Sequence, residues 1–279
     1  MLEKFNKIYN EIKVHLKASG LTENEIESVQ RAVEQKIATV APPTIAIIGF
    51  TGVGKSSTLN ALFNAGQPTS DVRACTQNAK VFTGNLEPYT GSKGTINIYD
   101  MPGLGESIKA DVHHYNVYTD ILPKTDVIIW TFHAGDRAME PMQKAIMKLI
   151  DKIGLGFTEH LMFAINKVDA IAPGESCWNE SFNIPSMEQK QNIIEFENYI
   201  KERIREVLPQ WDGPIISYSA KRRYHLEQLM KAMIQTMPSD RRWILNNLAD
   251  IADYAELISP EYLPYVQQLT SKEINPQNQ

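Results

Sequence analysis

The sequence has few cysteines and no long apolar run. Two cysteines among 279 residues are too few for a disulfide framework. The most apolar runs, 44–50, 127–132 and 161–165, are far shorter than the roughly 18 residues that a membrane-spanning helix needs. Residues 1–13 mix acids and lysines without an apolar core, so no secretory signal is expected. These absences predict a cytoplasmic protein and leave peripheral contact with a membrane open.

The chain also has no excess of positive charge. Its net charge is −5, so no overall basic field would draw it to nucleic acid, although a local basic patch stays open. We expect no sequence-specific DNA binding. Apolar residues make up 43% and charged residues 22%, and no repeat or low-complexity tract interrupts the chain. These values are typical of a globular protein and argue against a disordered or coiled-coil chain.

Helical patterns flank a central region. Residues 1–40 carry two apolar stripes at three- and four-residue spacing, and Thr22 with Glu25 forms a capping box before the second stripe. This pattern predicts an N-terminal helical hairpin over 1–40. A C-terminal helical segment with a polar tail is predicted over 238–279. We expect the flanks to form a small helical extension that packs on the central region; the alternative is exposure of their stripes to a partner or a membrane.

The central region, 41–237, alternates short apolar strands with helical stretches. The predicted strands are Thr44–Gly49, Lys80–Thr83, Thr95–Asp100, Asp126–Thr131, Leu161–Asn166 and Ile215–Ser219. The predicted helices are Lys55–Asn64, Asp111–Leu122, Glu140–Lys152, Gln189–Val207 and Leu226–Met233. Such alternation predicts an α/β domain with a mostly parallel six-stranded sheet and helices on both faces. Residues 171–188, rich in Gly, Pro, Ser and Asn, are predicted to form a long loop.

A phosphate-binding loop follows the first predicted strand. Residues 49–56, GFTGVGKS, match the pattern G-x-x-x-x-G-K-[ST] between a strand and a helix. The glycines let successive backbone amides wrap a phosphate, and the following helix adds its positive N-terminal end. Lys55 would reach the β- and γ-phosphates, and the Ser56 hydroxyl would ligate Mg²⁺. The nucleotide-binding residues predicted in this loop are Gly49, Thr51, Gly52, Val53, Gly54, Lys55, Ser56 and Ser57.

Two further segments complete the predicted phosphate and metal site. Asp100 ends a strand in the sequence Asp-Met-Pro-Gly, where its carboxylate would hold Mg²⁺ through a water. The Gly103 amide would approach the γ-phosphate, because glycine lets the backbone come close. Thr76 lies between this motif and the phosphate loop, where a switch loop would supply a hydroxyl to the metal. We therefore take Lys55, Thr76 and Gly103 as candidate catalytic residues.

A motif after the fifth predicted strand indicates that the base is guanine. Residues 166–169 read Asn-Lys-Val-Asp. The Asp169 carboxylate would accept hydrogen bonds from N1–H and the 2-amino group of guanine. Adenine has no such donor pair, so a buried carboxylate would discriminate against it. The Lys167 stem would lie over the base, and Asn166 would tie this loop to the phosphate loop.

A second base-contacting motif ends the last predicted strand. It contains Ser219, Ala220 and Lys221, and the Ala220 amide would donate to guanine O6. Each of these motifs is short, but four of them stand in order at the carboxyl ends of predicted strands. Ligands bind at that edge in open α/β sheets.

With these motifs, residues 40–235 resemble a GTPase of the translation-factor-related class. Residues 49–63 resemble the septin, Toc and immunity-associated GTPases and the bacterial Era-like proteins, and 100–107 is similar to the Era-like, HSR1-related GTPases. Together these families form the TrmE-Era-septin-like class of P-loop GTPases. The resemblance implies a Ras-like fold, binding of GTP and GDP with Mg²⁺, slow hydrolysis, and switch loops around Thr76 and Gly103.

The chain departs from these relatives in ways that concern hydrolysis. Leu104 stands where Ras-type enzymes place a glutamine, and its side chain cannot orient water. Gly52 stands where potassium-activated relatives carry asparagine, so we expect no potassium activation. Toc and immunity-associated GTPases place an arginine facing a partner subunit. Arg137 is the candidate for this arginine here and a fourth candidate catalytic residue, which would contact the partner's nucleotide or switch region in a homodimer through the nucleotide face. A salt bridge to Asp136 or Glu140 is the alternative.

Several functions remain open from the sequence. The favoured function is a slow GTP-hydrolysing switch, and the alternative is a GTP-binding assembly scaffold with little hydrolysis. A P-loop kinase or ATPase is a third candidate, which Asp169 argues against. His113 and His114 would either position water or be ordinary solvated helix residues. The effector, whether a protein, an RNA or a membrane, is not identified by the sequence.

Overall fold

The computed structural model describes most of the central region and parts of the flanks. The described residues are 10, 12–14, 16–39, 41–64, 78–85, 95–238 and 241. Thr76, with the rest of 65–77, lies outside these residues, as does most of the C-terminal flank. The chain divides into two compact units, Thr44–Gly84 with Ile96–Met237, and Met1–Pro43 with Asn85–Thr95 and Pro238–Gln279.

The larger unit contains a six-stranded sheet in the order β2-β3-β1-β4-β5-β6. The strands are β1 Thr44–Gly49, β2 Lys80–Asn85, β3 Thr95–Asp100, β4 Val127–His133, β5 Leu161–Asn166 and β6 Ile215–Ser217. The pairs β1–β3, β1–β4, β4–β5 and β5–β6 are parallel. The predicted six-stranded, mostly parallel sheet is therefore confirmed. Strand β4 extends two residues beyond its predicted end because Phe132 and His133 pair with Ile165 and Asn166.

Three of the six helices in the described ranges begin at capping residues that the sequence carries. The bounds of the six are α1 Glu23–Thr39, α2 Lys55–Phe63, α3 Ile108–Ile121, α4 Glu140–Ile153, α5 Met187–Arg205 and α6 Leu226–Thr236. Helix α3 begins earlier than predicted because the Ser107 side chain accepts a hydrogen bond from the Ala110 amide. Helix α5 begins at a capping box in which Ser186 and Gln189 bond each other's backbone amides.

Both faces of the sheet are covered. One core cluster joins alternate residues of β1, Ala46 and Ile48, with apolar side chains of α3, α4 and α5. The intervening residues Ile45 and Ile47 are fully buried without belonging to that cluster, as the two-residue repeat of a strand requires. Helix α2 contacts β1, and α6 contacts β4, β5 and β6. The carboxyl ends of the strands are left at one edge, where the predicted motifs lie.

The described part of the N-terminal flank contains the capping box that the sequence predicts. Thr22 and Glu25 form the capping box, with the Thr22 amide donating to Glu25 Oε2 at 2.8 Å. Glu23 pairs with Lys13 and Lys17 across the turn. Ile12 and Leu16 of the first stripe are buried, as are Ile26 and Val29 of the second. Of the helices in the described ranges, none is long and apolar enough to cross a membrane.

Candidate nucleotide site

The phosphate loop is built on backbone conformations that glycine provides. Gly49 has φ 140°, and a Cβ there would lie 2.4 Å from the Thr131 carbonyl oxygen. Gly54 has φ 96° immediately before α2, and a Cβ there would lie 2.3 Å from Asn166 Nδ2. Larger residues at these positions would collide with the neighbouring strands' ends. The loop therefore wraps the N-terminus of α2 tightly, in the geometry of an anion site.

Lys55 is held at the centre of this loop. Its Nζ donates to the carbonyl oxygens of Gly49 at 3.1 Å and Phe50 at 3.0 Å. Burial lowers the pKa of Lys55 to about 8, and the nearby Asp100 carboxylate partly opposes that shift. Because a pKa of about 8 leaves most of the amine protonated at neutral pH, a bound phosphate would meet an ammonium group.

Ser56 and Asp100 form the predicted metal side of the site. The Ser56 hydroxyl donates to Asp100 Oδ2 at 2.9 Å, and the Asp100 side chain is fully buried at the end of β3. Both groups supply hard oxygen atoms, which are the ligands that Mg²⁺ prefers. The residues present therefore fit a magnesium ion held by one hydroxyl and one carboxylate.

The segment after Asp100 packs directly on the phosphate loop. A Cβ on Gly103 would lie 2.6 Å from Thr51 Oγ1 and 3.0 Å from Lys55 Nζ. The Gly103 backbone therefore lies next to the lysine amine. The Leu104 amide donates to Gly49 O, and the Thr51 amide donates to Leu104 O at 2.9 Å. The Leu104 side chain is buried in the core. It therefore lies away from solvent, and it does not orient water.

The Asn166 side chain joins three loops, and one of these links, to the phosphate loop, is the one that the sequence predicted. Its Nδ2 donates to Val53 O at 3.0 Å, and its Oδ1 accepts from the amides of Lys167 and Ala220. The side chain is 1% exposed. The Ala220 amide, expected to donate to guanine O6, is thus engaged by Asn166.

Asp169 borders a cavity at the base end of the site. The carboxylate is buried, and its Oδ1 has no hydrogen-bond partner among the described groups. The cavity measures about 380 Å³ and is lined by Ser57, Asn166, Lys167, Asp169, Ala170, Glu175, Ala220 and Lys221. An acceptor of this kind favours a ligand that brings its own N–H donors.

The two lysines of the base-contacting motifs lie on the rim of the site. Lys167 has φ 63°, and its Nζ donates to Gly52 O at 3.0 Å, so its stem crosses from the base end to the phosphate loop. Lys221 pairs with Glu175 at 2.5 Å. The Ser219 side chain is buried and accepts a hydrogen bond from the Arg222 amide.

The segment predicted as a long loop is ordered by residues to which the sequence analysis gave no role. The Gln189 side chain is buried and donates to the carbonyl oxygens of Asp169 and Gly174. Asn179 and Ile184 form a two-residue antiparallel pair, and the Trp178 side chain is buried beside it. The only sequence pattern that indicated regular structure here is the capping box of Ser186 and Gln189, at the end of the segment.

Arg137 lies on the loop after β4. Its side chain is exposed and, within the part of the chain described, makes no ion pair; Glu140 pairs instead with Lys144. The Arg137 carbonyl accepts a hydrogen bond from the Tyr199 hydroxyl at 3.0 Å. The alternative salt bridge to Asp136 or Glu140 does not form.

The two histidines near the second switch differ in their surroundings. His113 is exposed and its Nε2 lies 2.8 Å from Asn78 Oδ1. His114 is buried, with Asp111 Oδ1 3.9 Å from its Nδ1.

A larger cavity of about 840 Å³, lined by Trp211, Pro214 and others, opens at the opposite ends of β5 and β6 and contains none of the predicted site residues.

Comparison with known proteins agrees with this geometry. Residues 44–167 match the MMR_HSR1 family, which is described as 50S ribosome-binding GTPase. The uncharacterized protein YfjP of Escherichia coli strain K12 is 32% identical over 200 residues, which cover 71% of this chain and 63% of YfjP. The chain thus spans less than two thirds of this curated relative's length.

Solved structures share the fold. Era from Aquifex aeolicus, bound to GDP and aluminium fluoride, has a TM-score of 0.53 at 22% identity, covering 71% of this chain and 58% of Era. A dimerisation-deficient arginine-to-alanine variant of Toc33 from Arabidopsis thaliana has a TM-score of 0.54 at 15% identity, covering 82% of this chain and 95% of Toc33. Residues 44–167 are therefore similar to the MMR_HSR1 GTPases, and the larger unit has the Ras-like P-loop GTPase fold.

Proposed function

We propose that the protein binds GTP and GDP with Mg²⁺, hydrolyses GTP slowly and acts as a nucleotide-dependent switch. The proposal depends on the convergence of four segments at the carboxyl edge of the sheet. Lys55, Asp100 and Gly103 stand at the phosphate end, and the Asp169 carboxylate stands at the base end with one oxygen unpartnered among the described groups. A carboxylate in that position selects guanine over adenine.

The chain's own groups would bind the phosphates and the metal. Lys55 would donate to β- and γ-phosphate oxygens, and the Gly103 amide would donate to the γ-phosphate. Ser56 would ligate Mg²⁺ directly and Asp100 through a water, with Thr76 proposed as a further oxygen ligand. The ion, when bound, neutralises charge on the β- and γ-phosphates.

Slow hydrolysis is proposed because the usual water-orienting side chain is absent. Leu104 occupies that position and its side chain is packed in the core. Turnover without a partner is expected on the order of 10⁻⁴ to 10⁻² per second, the range of unassisted small GTPases. The same observation favours a second candidate, a GTP-binding assembly scaffold with little hydrolysis.

We further propose a homodimer through the nucleotide face, with Arg137 contacting the partner's nucleotide or switch region. Its exposed guanidinium has no ion pair within the described ranges, while its backbone is anchored by Tyr199. The Toc33 variant with an arginine replaced by alanine is dimerisation-deficient, and dimerisation is important for the GTPase activity of the Toc33 and Toc159 translocon components. These properties of a distant relative motivate the proposal. The effector, whether a protein, an RNA or a membrane, remains open.

GTP turnover per subunit, measured across a range of protein concentrations, tests these proposals. A rate that rises with concentration in the wild type and stays flat in Arg137→Ala supports the dimer. Arg205→Ala is the matched control, since Arg205 is also exposed and makes no ion pair in the described part of the chain. Light scattering in GDP and in a non-hydrolysable GTP analogue reports the dimer directly.

Each contrary result removes a different part of the proposal. Tight GTP binding without turnover at any concentration favours the scaffold. Dimers that persist in Arg137→Ala contradict the role of Arg137. Equal competition by ATP and GTP refutes the assignment of a guanine site.

A further inference from the structure

Arg222 stands next to the base-contacting motif but does not line the nucleotide cavity. Its side chain lies between two carboxylates, with Nε 3.8 Å from Asp169 Oδ2 and Nη1 2.5 Å from Glu180 Oε2. Asp169 belongs to the loop after β5. Glu180 belongs to what we call the insert hairpin, residues 178–184, closed by the Asn179–Ile184 pair. One guanidinium therefore joins the guanine-selecting loop to the insert hairpin.

The backbone of Arg222 is fixed as well. Its amide donates to Ser219 Oγ at 3.0 Å, and its carbonyl accepts from Asn183 Nδ2 at 2.9 Å. Asn183 Oδ1 in turn accepts from the indole N–H of Trp178, whose ring is buried. The Arg222 side chain is only 20% exposed, so few other positions are open to it. Arg222 thus presents its positive charge to Asp169 from a rigid support.

The two oxygens of Asp169 have different surroundings. Oδ2 faces Arg222, whereas Oδ1 has no hydrogen-bond partner among the described groups and the residue borders the cavity. A purine with N1–H and a 2-amino group needs both oxygens in the plane of its edge at the same time. A purine without the 2-amino group needs only one, so it tolerates rotation of the carboxylate.

We propose that Arg222 is a positioning residue for guanine recognition, because its positive charge, 3.8 Å from one oxygen of Asp169, attracts that oxygen without a hydrogen bond and so favours one rotation of the carboxylate. The consequence is specificity for the 2-amino group, and it rests on the proposed function, in which this cavity binds guanine nucleotides. Glu180 acts behind Arg222 by holding the guanidinium against the hairpin. The hairpin therefore contributes to the choice of base without touching it.

The test compares the dissociation constants of GDP and inosine diphosphate, which lacks the 2-amino group. In Arg222→Gln, GDP binding weakens about tenfold, as expected for the loss of one close charge contact, while inosine diphosphate changes less than about threefold. Arg222→Lys keeps the charge and recovers part of the difference. Glu180→Gln shifts the ratio in the same direction to a smaller extent, and Arg205→Gln, a charge-matched change on α5, leaves it unchanged.

The outcomes separate this inference from the function on which it rests. Wild-type protein that binds neither nucleotide refutes the guanine site itself, and wild-type protein that binds both equally refutes recognition of the 2-amino group. Wild-type preference for GDP together with parallel losses of both nucleotides in Arg222→Gln refutes the positioning role alone, because a merely structural arginine would weaken both equally. If Arg222→Gln fails to fold by circular dichroism, Arg222→Lys and Glu180→Gln carry the same comparison of ratios.

Discussion

Replacing Asn166 by alanine should destabilise the fold before any nucleotide is added. The Asn166 side chain makes three hydrogen bonds that join the phosphate loop to the loops after β5 and β6. Without it, the carbonyl of Val53 and the amide of Ala220 would stay buried and unpaired, since these residues are 5% and 8% exposed. Each such group costs about 1–3 kcal/mol.

The expected loss is therefore about 2–6 kcal/mol, set against a typical total stability of about 5–15 kcal/mol. Urea unfolding followed by tryptophan fluorescence, in the absence of nucleotide, measures it. Asn116→Ala on the exposed face of α3 is the matched control, and it should change the free energy of unfolding by no more than about 0.5 kcal/mol.

A second variant separates stability from binding. Asn166→Asp keeps an oxygen that can accept from Lys167 and Ala220 but cannot donate to Val53. It should retain more stability than Asn166→Ala, while its charge repels phosphate and weakens GDP binding. A loss below about 1 kcal/mol in Asn166→Ala would refute the reasoning, because it would mean that the three loops are held together by other contacts.

Two further predictions concern the phosphate end of the site. Burial lowers the pKa of Lys55 to about 8, so between about pH 8 and 10.5 the unfolded chain binds more protons than the folded chain and stability rises with pH. This rise in the free energy of unfolding, up to about 3 kcal/mol for the full shift, should be missing in Lys55→Met. If stability changes with pH equally in Lys55→Met and in the wild type, the prediction is wrong. Gly103→Ala places a Cβ 2.6 Å from Thr51 Oγ1, so a GTP analogue should bind about tenfold more weakly while GDP changes less than about threefold. Equal losses for both nucleotides would show that Gly103 does not sense the γ-phosphate.

Local patterns in the sequence predicted the sheet and the phosphate loop because their causes are local. The run Thr44–Gly49 is long and apolar enough to be a buried strand, and the loop that follows requires glycine at fixed positions. The link from Asn166 to the phosphate loop followed from the order of motifs at strand ends. These features depend on a few neighbouring residues, which the sequence displays directly.

Contacts between distant segments were not predictable in the same way. Arg222 meets Glu180 across 42 positions, and Gln189 bonds carbonyls 15 and 20 positions earlier. The segment 171–188 has the composition of a loop, and its order comes from Trp178 and Gln189 packing beneath it. The composition of a segment indicates its backbone preferences. Its contact partners depend on which distant segments the fold brings next to it.

The pairing of Leu104 with the phosphate loop makes nucleotide and partner binding reciprocal. The Leu104 amide donates to Gly49 O and the Leu104 carbonyl accepts from the Thr51 amide, so the two loops that are proposed to contact the terminal phosphate are joined to each other. Separating them breaks two hydrogen bonds worth about 0.5–1.5 kcal/mol each and exposes a buried leucine. A molecule that binds the segment after Gly103 and favours one arrangement of these two loops must change nucleotide affinity by a given factor. By thermodynamic linkage, the nucleotide then changes that molecule's affinity by the same factor.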